Sequence, residues 1–440
     1  MKLVYSFNVN NNFDDNIDSF NQIIELCKIS KSLYNQALYE VKDNLEKNNK
    51  FLFYNDLNKI MINKPNLESK VNYKLLKAQT SQQILRVLEK DIKSYIKSIK
   101  DYSKNPNKYK GKPKLPNYKP KNSLNQLIYT NQNCKIKDDG YLLLDKQKDI
   151  KIPIPQFDKY KDKIFDTFNQ VRILPKKNNQ NYFKVEIIYE IDDIDVNPNL
   201  NYDEFSSVDL GINNLLTLLL PNNNPLLYNG KQIKAVNQLF NKQLGKLNSV
   251  KDKQKEEIRI KGTTKQIKKL YEDRENEIKD LFHKLSRHVV NTLLEKGVGN
   301  IIIGYNKQWK DSIDLGNKTN QKFVQIPHRQ LISYITYKCN MVGIKVKEVE
   351  ESYSSRTDGL VLEHLPKYGD EITLKQFGGK RKFRGLFQSQ IGKLINADVN
   401  GCINIMRKCI NVVDDSYISK IIDRGFLFNP LRVRDLYCMI

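Results

Sequence analysis

The sequence predicts an α+β protein of several domains: an N-terminal β-barrel interrupted by a helical insertion, then an α/β domain carrying a small insert of its own. Three observations predict it. The 440 residues exceed what one compact core holds. The hydrophobic period switches along the chain between two and about 3.6 residues. Short, turn-bounded β runs fill residues 123–200, whereas the later strands are more apolar and alternate with helices.

The opening MKLVYSFNV alternates apolar and polar residues and reads as a strand. From about Ile17 to Lys104 the period is helical, in IDSFNQIIELCKISKSLYNQALYEVKDNLEK and again in KAQTSQQILRVLEKDIKSYIKSIKDY. The second helix is lysine-rich on its polar face, which fits a solvated face and an RNA contact equally well. Asn105 to Asn122, NPNKYKGKPKLPNYKPKN, holds Pro106, Pro113, Pro116 and Pro120 and can be neither helix nor central strand. It is an extended basic segment. Lys110, Lys112, Lys114 and Lys119 suit a phosphate backbone, and Tyr109 and Tyr118 suit base stacking; a plain linker is the other reading.

Residues 123–200 contain the strand-like runs LNQLIYT, GYLLLD, DIKIPIP, NQVRILPK and YFKVEIIYEI, expected to form a small antiparallel barrel or sheet with the opening strand. FSSVDLGINNLLTLLL then gives two apolar strands around a tight turn, and NPLLYNGKQI a third. A charged amphipathic region from about Ile233 to Lys296 breaks near KGTTKQ and predicts a pair of helices. Strand NIIIG, helix IPHRQLISYITYKCNMVG, strand IKVKEVE, an irregular segment and helix ADVNGCINIMRKCI complete the order βββ-α-β-α-β-loop-α. That is the order of an RNase H-like core.

Lys and Arg total 74 against 50 acidic residues, a net charge of +24. A field of that sign favours a polyanion, above all nucleic acid. No segment approaches the roughly 20 apolar residues of a membrane span, and the N-terminus has no run suited to a secretory signal. A soluble intracellular protein without membrane contact is expected. The six cysteines are scattered singly, and the four histidines show no ligand spacing. A metal must therefore sit on oxygen, which points to Mg²⁺ or Mn²⁺.

Asp209 ends a buried strand in SVDLG, where a carboxylate is rigidly held and Gly211 lets the chain turn away. Asp398 lies in the first turn of the helix ADVNGCINI, as a ligand or as a helix-end residue. Phosphodiester hydrolysis with oxygen-bound metals needs three or four carboxylates around two ions roughly 3.5–4 Å apart, so two aspartates are not enough.

VDLGINN, the strand before GYNKQWK, and YSSRT followed by INADVNGCINI together resemble the RuvC-type nuclease of the TnpB proteins of insertion sequences and of their Fanzor relatives, which are similar to type V CRISPR effectors. SKSLYNQALYE, TSQQILRVLEKDIKSY and KGKPKLPNYK resemble the N-terminal half of TnpB, so the resemblance spans nearly the whole chain. It implies an RNA-guided DNA endonuclease that binds a guide RNA from its own element and cuts double-stranded target DNA, leaving 3′-hydroxyl and 5′-phosphate ends. It also implies a monomer in the complex, located in the nucleus of a eukaryotic host or the cytoplasm of a prokaryote. The implied domains are a wedge barrel at 1–16 and 106–200, a recognition domain at 17–105, a RuvC-like domain at 201–351 and 396–440, and a target-binding insert at 352–395.

The sequence departs from that family in two places. The insert lacks the C-x-x-C pairs of a zinc ribbon, with Asp358 where the first cysteine would fall. It should be zinc-free, and Lys380, Arg381, Lys382 and Arg384 in GGKRKFRG make it a nucleic-acid contact. The second departure is the glutamate that should end the strand before GYNKQWK: Gly304 stands there. The next strand, IKVKEVEES, offers Glu348, Glu350 and Glu351. Neighbouring strands lie about 4.8 Å apart, a distance a glutamate side chain can span over a glycine. Fanzor and some TnpB proteins use such a shifted glutamate before a Ser/Thr-Ser pair, and E-S-Y-S-S matches with Glu351; Glu350 is the alternative. Asp209, Glu351 and Asp398 are thus the expected ligands of two Mg²⁺ ions. If none of the glutamates reaches the site, the chain is a guided DNA-binding repressor, or an RNA-binding accessory to transposition. Asn396 and Asn400 flank Asp398 as orienting or helix-end groups, Arg356 is a phosphate partner or a surface residue, and Trp309 a stacking or packing residue.

Overall fold

The computed structural model describes residues 1–10, 17–145, 150–164, 167–176, 182–192, 194–254, 262–306, 326–367, 369–371, 377–409 and 415–433. Trp309 lies outside them. The chain divides into two compact units, Met1–Asp192 and Asp193–Ile440.

In the first unit, strand β1 (Lys2–Asn10) is followed by helices α1 (Ile17–Asn48), α2 (Tyr54–Met61) and α3 (Ala78–Lys104). Strands β2 (Leu127–Thr130), β3 (Lys135–Ile136), β4 (Tyr141–Asp145) and β5 (Ile150–Pro153), helix α4 (Phe157–Ile164), and strands β6 (Phe168–Pro175) and β7 (Tyr182–Glu190) follow. The opening strand does join the later sheet: β1 pairs antiparallel with β7 from Lys2↔Glu190 to Asn10↔Tyr182. Among the described residues, the strands make two antiparallel sheets, β1-β7-β6-β2 and β3-β4-β5, where the sequence suggested a small antiparallel barrel or sheet. The helices share their core with these sheets. Leu33, Ala37, Leu38 and Val41 of α1 and Ile84, Leu85, Leu88 and Ile92 of α3 recur at three- and four-residue spacing and are all buried in one cluster with Val171, Phe183 and Val185.

The second unit is built on a six-stranded sheet. Its first three strands, β8 (Asn201–Leu210), β9 (Asn214–Leu220) and β10 (Asn223–Asn229), form an antiparallel meander. Helices α5 (Lys231–Asp252) and α6 (Lys265–Glu295) are the predicted pair. Strand β11 (Val298–Gly304), helix α7 (His328–Asn340) and strand β12 (Lys345–Val349) come next. The insert forms a small antiparallel sheet of β13 (Lys380–Phe383), β14 (Leu386–Gln388) and β15 (Leu394–Asn396). It runs without a break into α8 (Ala397–Arg407), followed by α9 (Asp415–Asp423) and β16 (Leu431–Val433).

The sheet order is β12-β11-β8-β9-β10-β16. β11 runs parallel to β8 and β12 parallel to β11, so the expected neighbour relation is present: the fourth strand beside the first, the fifth beyond it. Val208, Leu210, Ile301 and Ile303 pack against α5, α6 and α7 on one face, while Phe205 and Ile302 pack against α8 and α9 on the other. Both faces are covered, which is why these strands read as continuous apolar runs. No helix among the described residues is long and apolar enough to cross a membrane.

Candidate active site

Side chains alternate faces along a strand. Val208 and Leu210 belong to the core under α5–α7, so Asp209 between them faces α8. Ile303 pairs with Val208 and Gly304 with Val349. Asp209, Gly304 and Val349 therefore form a row across three adjacent strands on the α8 face, and the empty place in that row is Gly304.

The space at Gly304 is filled from two directions. A β-carbon built there would lie 2.5 Å from Ile405 Cδ1 of α8 and 3.2 Å from Glu351 Oε2. Glu351, two residues past the end of β12, thus brings its carboxylate over the glycine. Its Oε2 is buried and has no hydrogen-bond partner. Burial, and then the neighbouring Glu350, push its carboxyl up to about 7.

The other glutamates have partners elsewhere. Glu348 is on the opposite face, in an ion pair with Arg329 of α7. Glu350 Oε2 accepts from Lys408 Nζ at 2.7 Å, and its Oε1 from the Ser352 amide at 2.5 Å. Burial pushes the Glu350 carboxyl up, but Lys408 and Ser352 outweigh it and hold it below the usual range. Of the three candidates, Glu351 is the one turned toward Asp209.

Asp209 lies against the first turns of α8, where a β-carbon on Gly401 would sit 2.6 Å from its Oδ2. Only glycine leaves room for the carboxylate. The Asp209 residue keeps some solvent exposure, yet its carboxyl is enclosed enough that burial, reinforced by Glu351 and Asp398, raises it well above the ordinary value; Arg381 of the insert pulls the other way. Asp209 thus feels both of the other carboxylates and the Arg381 cation.

Asp398 is at the second position of α8. The helix cap is Asn396, whose Oδ1 accepts from the amides of Asp398 at 2.9 Å and Val399 at 3.3 Å. Capping by Asn396 leaves the Asp398 carboxylate available, and Asn214, the first residue of β9, donates to its Oδ2 at 2.6 Å. Asn214 and Lys408 were both missed by sequence reasoning, and their partners lie far away along the chain.

Among the described residues, no three Asp, Glu, His or Cys side chains form a closed metal-ligand set. The donors that do face one another are all carboxylates, one with an unpartnered buried oxygen, and such a group fits a hard divalent cation. In the insert, Asp358 is fully buried and accepts from Ser389 Oγ at 2.6 Å, the Gln390 amide at 2.8 Å and the Leu360 amide at 3.1 Å. A carboxylate thus ties together two loops of the insert.

Lys380, Arg381, Lys382 and Arg384 are exposed on the β13–β14 hairpin, with Phe383 at 72% exposure between them. In the first unit, the Asn105–Asn122 segment runs beside α1, where Asn35 exchanges hydrogen bonds with the Lys119 backbone at 2.8 and 2.9 Å. Lys110, Lys112 and Lys114 remain exposed. Tyr109 donates to Asp101 at 2.7 Å, Lys42 lies 4.2 Å above the Tyr118 ring, and the Lys119 ammonium lies over Tyr34. Arg356 is exposed on the turn after Glu351.

Residues 186–310, spanning Asp209 and Gly304, match the family model OrfB_IS605, a probable transposase. Residues 328–405, spanning Glu351 and Asp398, match the TNB domain of Cas12f1-like proteins. Both stretches thus resemble TnpB-like and Cas12f1-like proteins. A TnpB-like protein, ORF457 of Acidianus two-tailed virus, is 26% identical over 216 residues, which is 48% of this chain and 43% of that relative. The match thus spans less than half of the viral TnpB-like protein. The fold is shared with a solved Cas12f1–sgRNA–target DNA complex over 89% of this chain and 82% of that one, at 16% identity and a TM-score of 0.51.

Proposed function

We propose that this TnpB-like chain is an RNA-guided DNA endonuclease of a mobile element, with an RNase H-like, RuvC-type site at Asp209, Glu351 and Asp398. The observation that carries the reading is the unpartnered Glu351 oxygen lying over Gly304, beside a row that begins with Asp209. A carboxylate buried without a cation or hydrogen bond is costly and calls for a partner.

Mg²⁺ or Mn²⁺ bound there would supply Lewis-acid stabilisation of charge and a hydroxide-forming water at neutral pH. The chain's own residues do the rest. Asp209 gives a fixed carboxylate from a central strand, Asp398 a second from the start of α8 with Asn214 holding one oxygen, and Glu351 the third. Arg381, the cation whose field reaches Asp209, is placed to meet a phosphate entering the cleft. The guide RNA and double-stranded target would lie against the basic 105–122 segment and the β13–β14 hairpin. Residues 1–16 with 106–200 act as the wedge, 17–105 as the recognition domain, and 352–395 as a zinc-free target-binding insert. Base pairing with the guide would read the target sequence.

The test is Mg²⁺-dependent cleavage of matched double-stranded DNA by protein co-purified with its element RNA. Asp209→Asn, Asp398→Asn and Glu351→Ala should each abolish cleavage while leaving target binding, and Glu350→Ala should retain cleavage. Tight guided binding by the wild type with no cleavage in Mg²⁺ or Mn²⁺ would refute the nuclease and leave a guided repressor.

A further inference from the structure

We propose that Asn404 of α8 and Lys408, the residue that caps its C-terminus, are positioning residues that select and aim Glu351. The inference rests on the nuclease reading above and adds the device that makes a relocated carboxylate workable.

A side chain at a strand end is aimed by the sheet. Glu351 has no such support, because β12 ends at Val349 and the chain enters an irregular turn. That turn includes Tyr353 at φ +64°, a left-handed conformation that a bulky residue keeps only when its surroundings impose it.

The surroundings are one face of α8. Asn404 Nδ2 donates to the carbonyls of Ser354 at 2.9 Å and Thr357 at 2.7 Å. Asn400 donates to the same Thr357 carbonyl at 2.8 Å and accepts from the Gly359 amide at 2.9 Å. Arg407 donates to the carbonyls of Leu362 and Glu363, at 2.9 Å each, and to Asn404 Oδ1 at 3.1 Å. Both asparagines are fully buried, in a helix whose other inward residues are almost all apolar. Buried amides are tolerated only when their hydrogen bonds are made, and here they are spent on the backbone after Glu351.

Lys408 then decides between the two glutamates. Its side chain is 10% exposed and holds Glu350 in an ion pair. Glu350 is thereby unavailable to the cleft, and Glu351 is left as the acid with an unpartnered oxygen. The helix that carries Asp398 at its start thus grips, within about 15 Å along its axis, the turn that carries Glu351. Two carboxylates from distant parts of the chain are set by one rigid element.

The test measures metal binding apart from cleavage: the concentration of Mn²⁺ that half-saturates the full-length protein without DNA, by calorimetry and by the metal-induced rise in Tm. Lys408→Met should raise that concentration roughly tenfold or more, as loss of a supporting partner does at metal sites, and Lys408→Arg should bring it back toward wild type. Adding Glu350→Gln to Lys408→Met should also restore it, because the competing acid is gone; a purely structural role for Lys408 predicts no such rescue. Asn404→Asp, of the same shape but without the amide donor, should weaken Mn²⁺ to a similar degree. Half-saturation within twofold of wild type in both Lys408→Met and Asn404→Asp, while Asp209→Ala abolishes Mn²⁺ binding, would overturn the positioning role and leave the nuclease site standing. Mn²⁺ binding unaffected even by Asp209→Ala would overturn the site itself.

Discussion

Replacing Glu351 by glutamine should make the metal-free protein more stable at pH 8 while abolishing its cleavage. The Glu351 carboxyl is raised from an ordinary 4.5 to about 7, first by burial and then by Glu350. A group shifted up on folding stabilises the folded state below its unfolded pKa and loses that contribution as the pH rises through the folded value. Metal-free wild type should therefore lose stability between about pH 4.5 and 7, by at most about 3.5 kcal/mol at about 1.4 kcal/mol per pH unit. Glutamine carries no charge and escapes the loss. Urea denaturation in chelator, at pH 5 and pH 8, measures it: the midpoint of Glu351→Gln should exceed wild type clearly at pH 8 and only slightly at pH 5. Saturating Mg²⁺ should narrow the gap at pH 8 by stabilising only the wild type. A variant no more stable than wild type at pH 8, or equally stabilised at both pH values, would refute the argument that Glu351 is a buried charge awaiting a cation.

The remaining expectations concern the groups around that carboxylate. Gly401→Ala forces Asp209 to move, since the new methyl would stand 2.6 Å from its Oδ2; misplacement on that scale should cost cleavage roughly 100-fold with target binding intact, read by single-turnover kinetics. Gly304→Glu should fail to restore cleavage to Glu351→Ala in the same assay, because Ile405 occupies the space. Converting Lys380, Arg381, Lys382 and Arg384 to alanine should lower the salt dependence of target binding by up to about 3 in log–log slope, given about 0.7–0.9 per phosphate contact. Asp358→Ala strands the Ser389, Gln390 and Leu360 donors and should lower stability by about 3 kcal/mol, seen by denaturation; treatment with a zinc chelator should change nothing.

Much of the second unit was legible because its signals are local. A buried run ending in D-L-G and a helix opening with N-A-D place Asp209 and Asp398 without knowledge of the rest of the chain. The choice between Glu350 and Glu351 was not legible. In K-V-K-E-V-E-E the apolar positions Val346 and Val349 break strict alternation, since they serve opposite cores of a sheet covered on both faces. Asn214 and Lys408 were invisible for another reason: each acts on a partner 184 or 58 residues away, and an asparagine opening a strand or a helix-end lysine has no distinctive neighbourhood. β16 is three residues long and pairs with β10, too short to carry a period. In the first unit the strands were legible as strands, but their division into two sheets depends on pairing partners that periodicity does not name.

The side chain of Ile405 over Gly304 limits where an acid can stand in this part of the sheet. With a glycine in the row, α8 can lay a branched aliphatic group against the sheet, and that group now lies where a glutamate stem would have to start. Placing an acid at 304 would require two changes together, a smaller residue at 405 and the acid itself, and either one alone leaves a cavity or a clash. On the function proposed above, this packing ties the site to Glu351 and to whatever holds Glu351 in place.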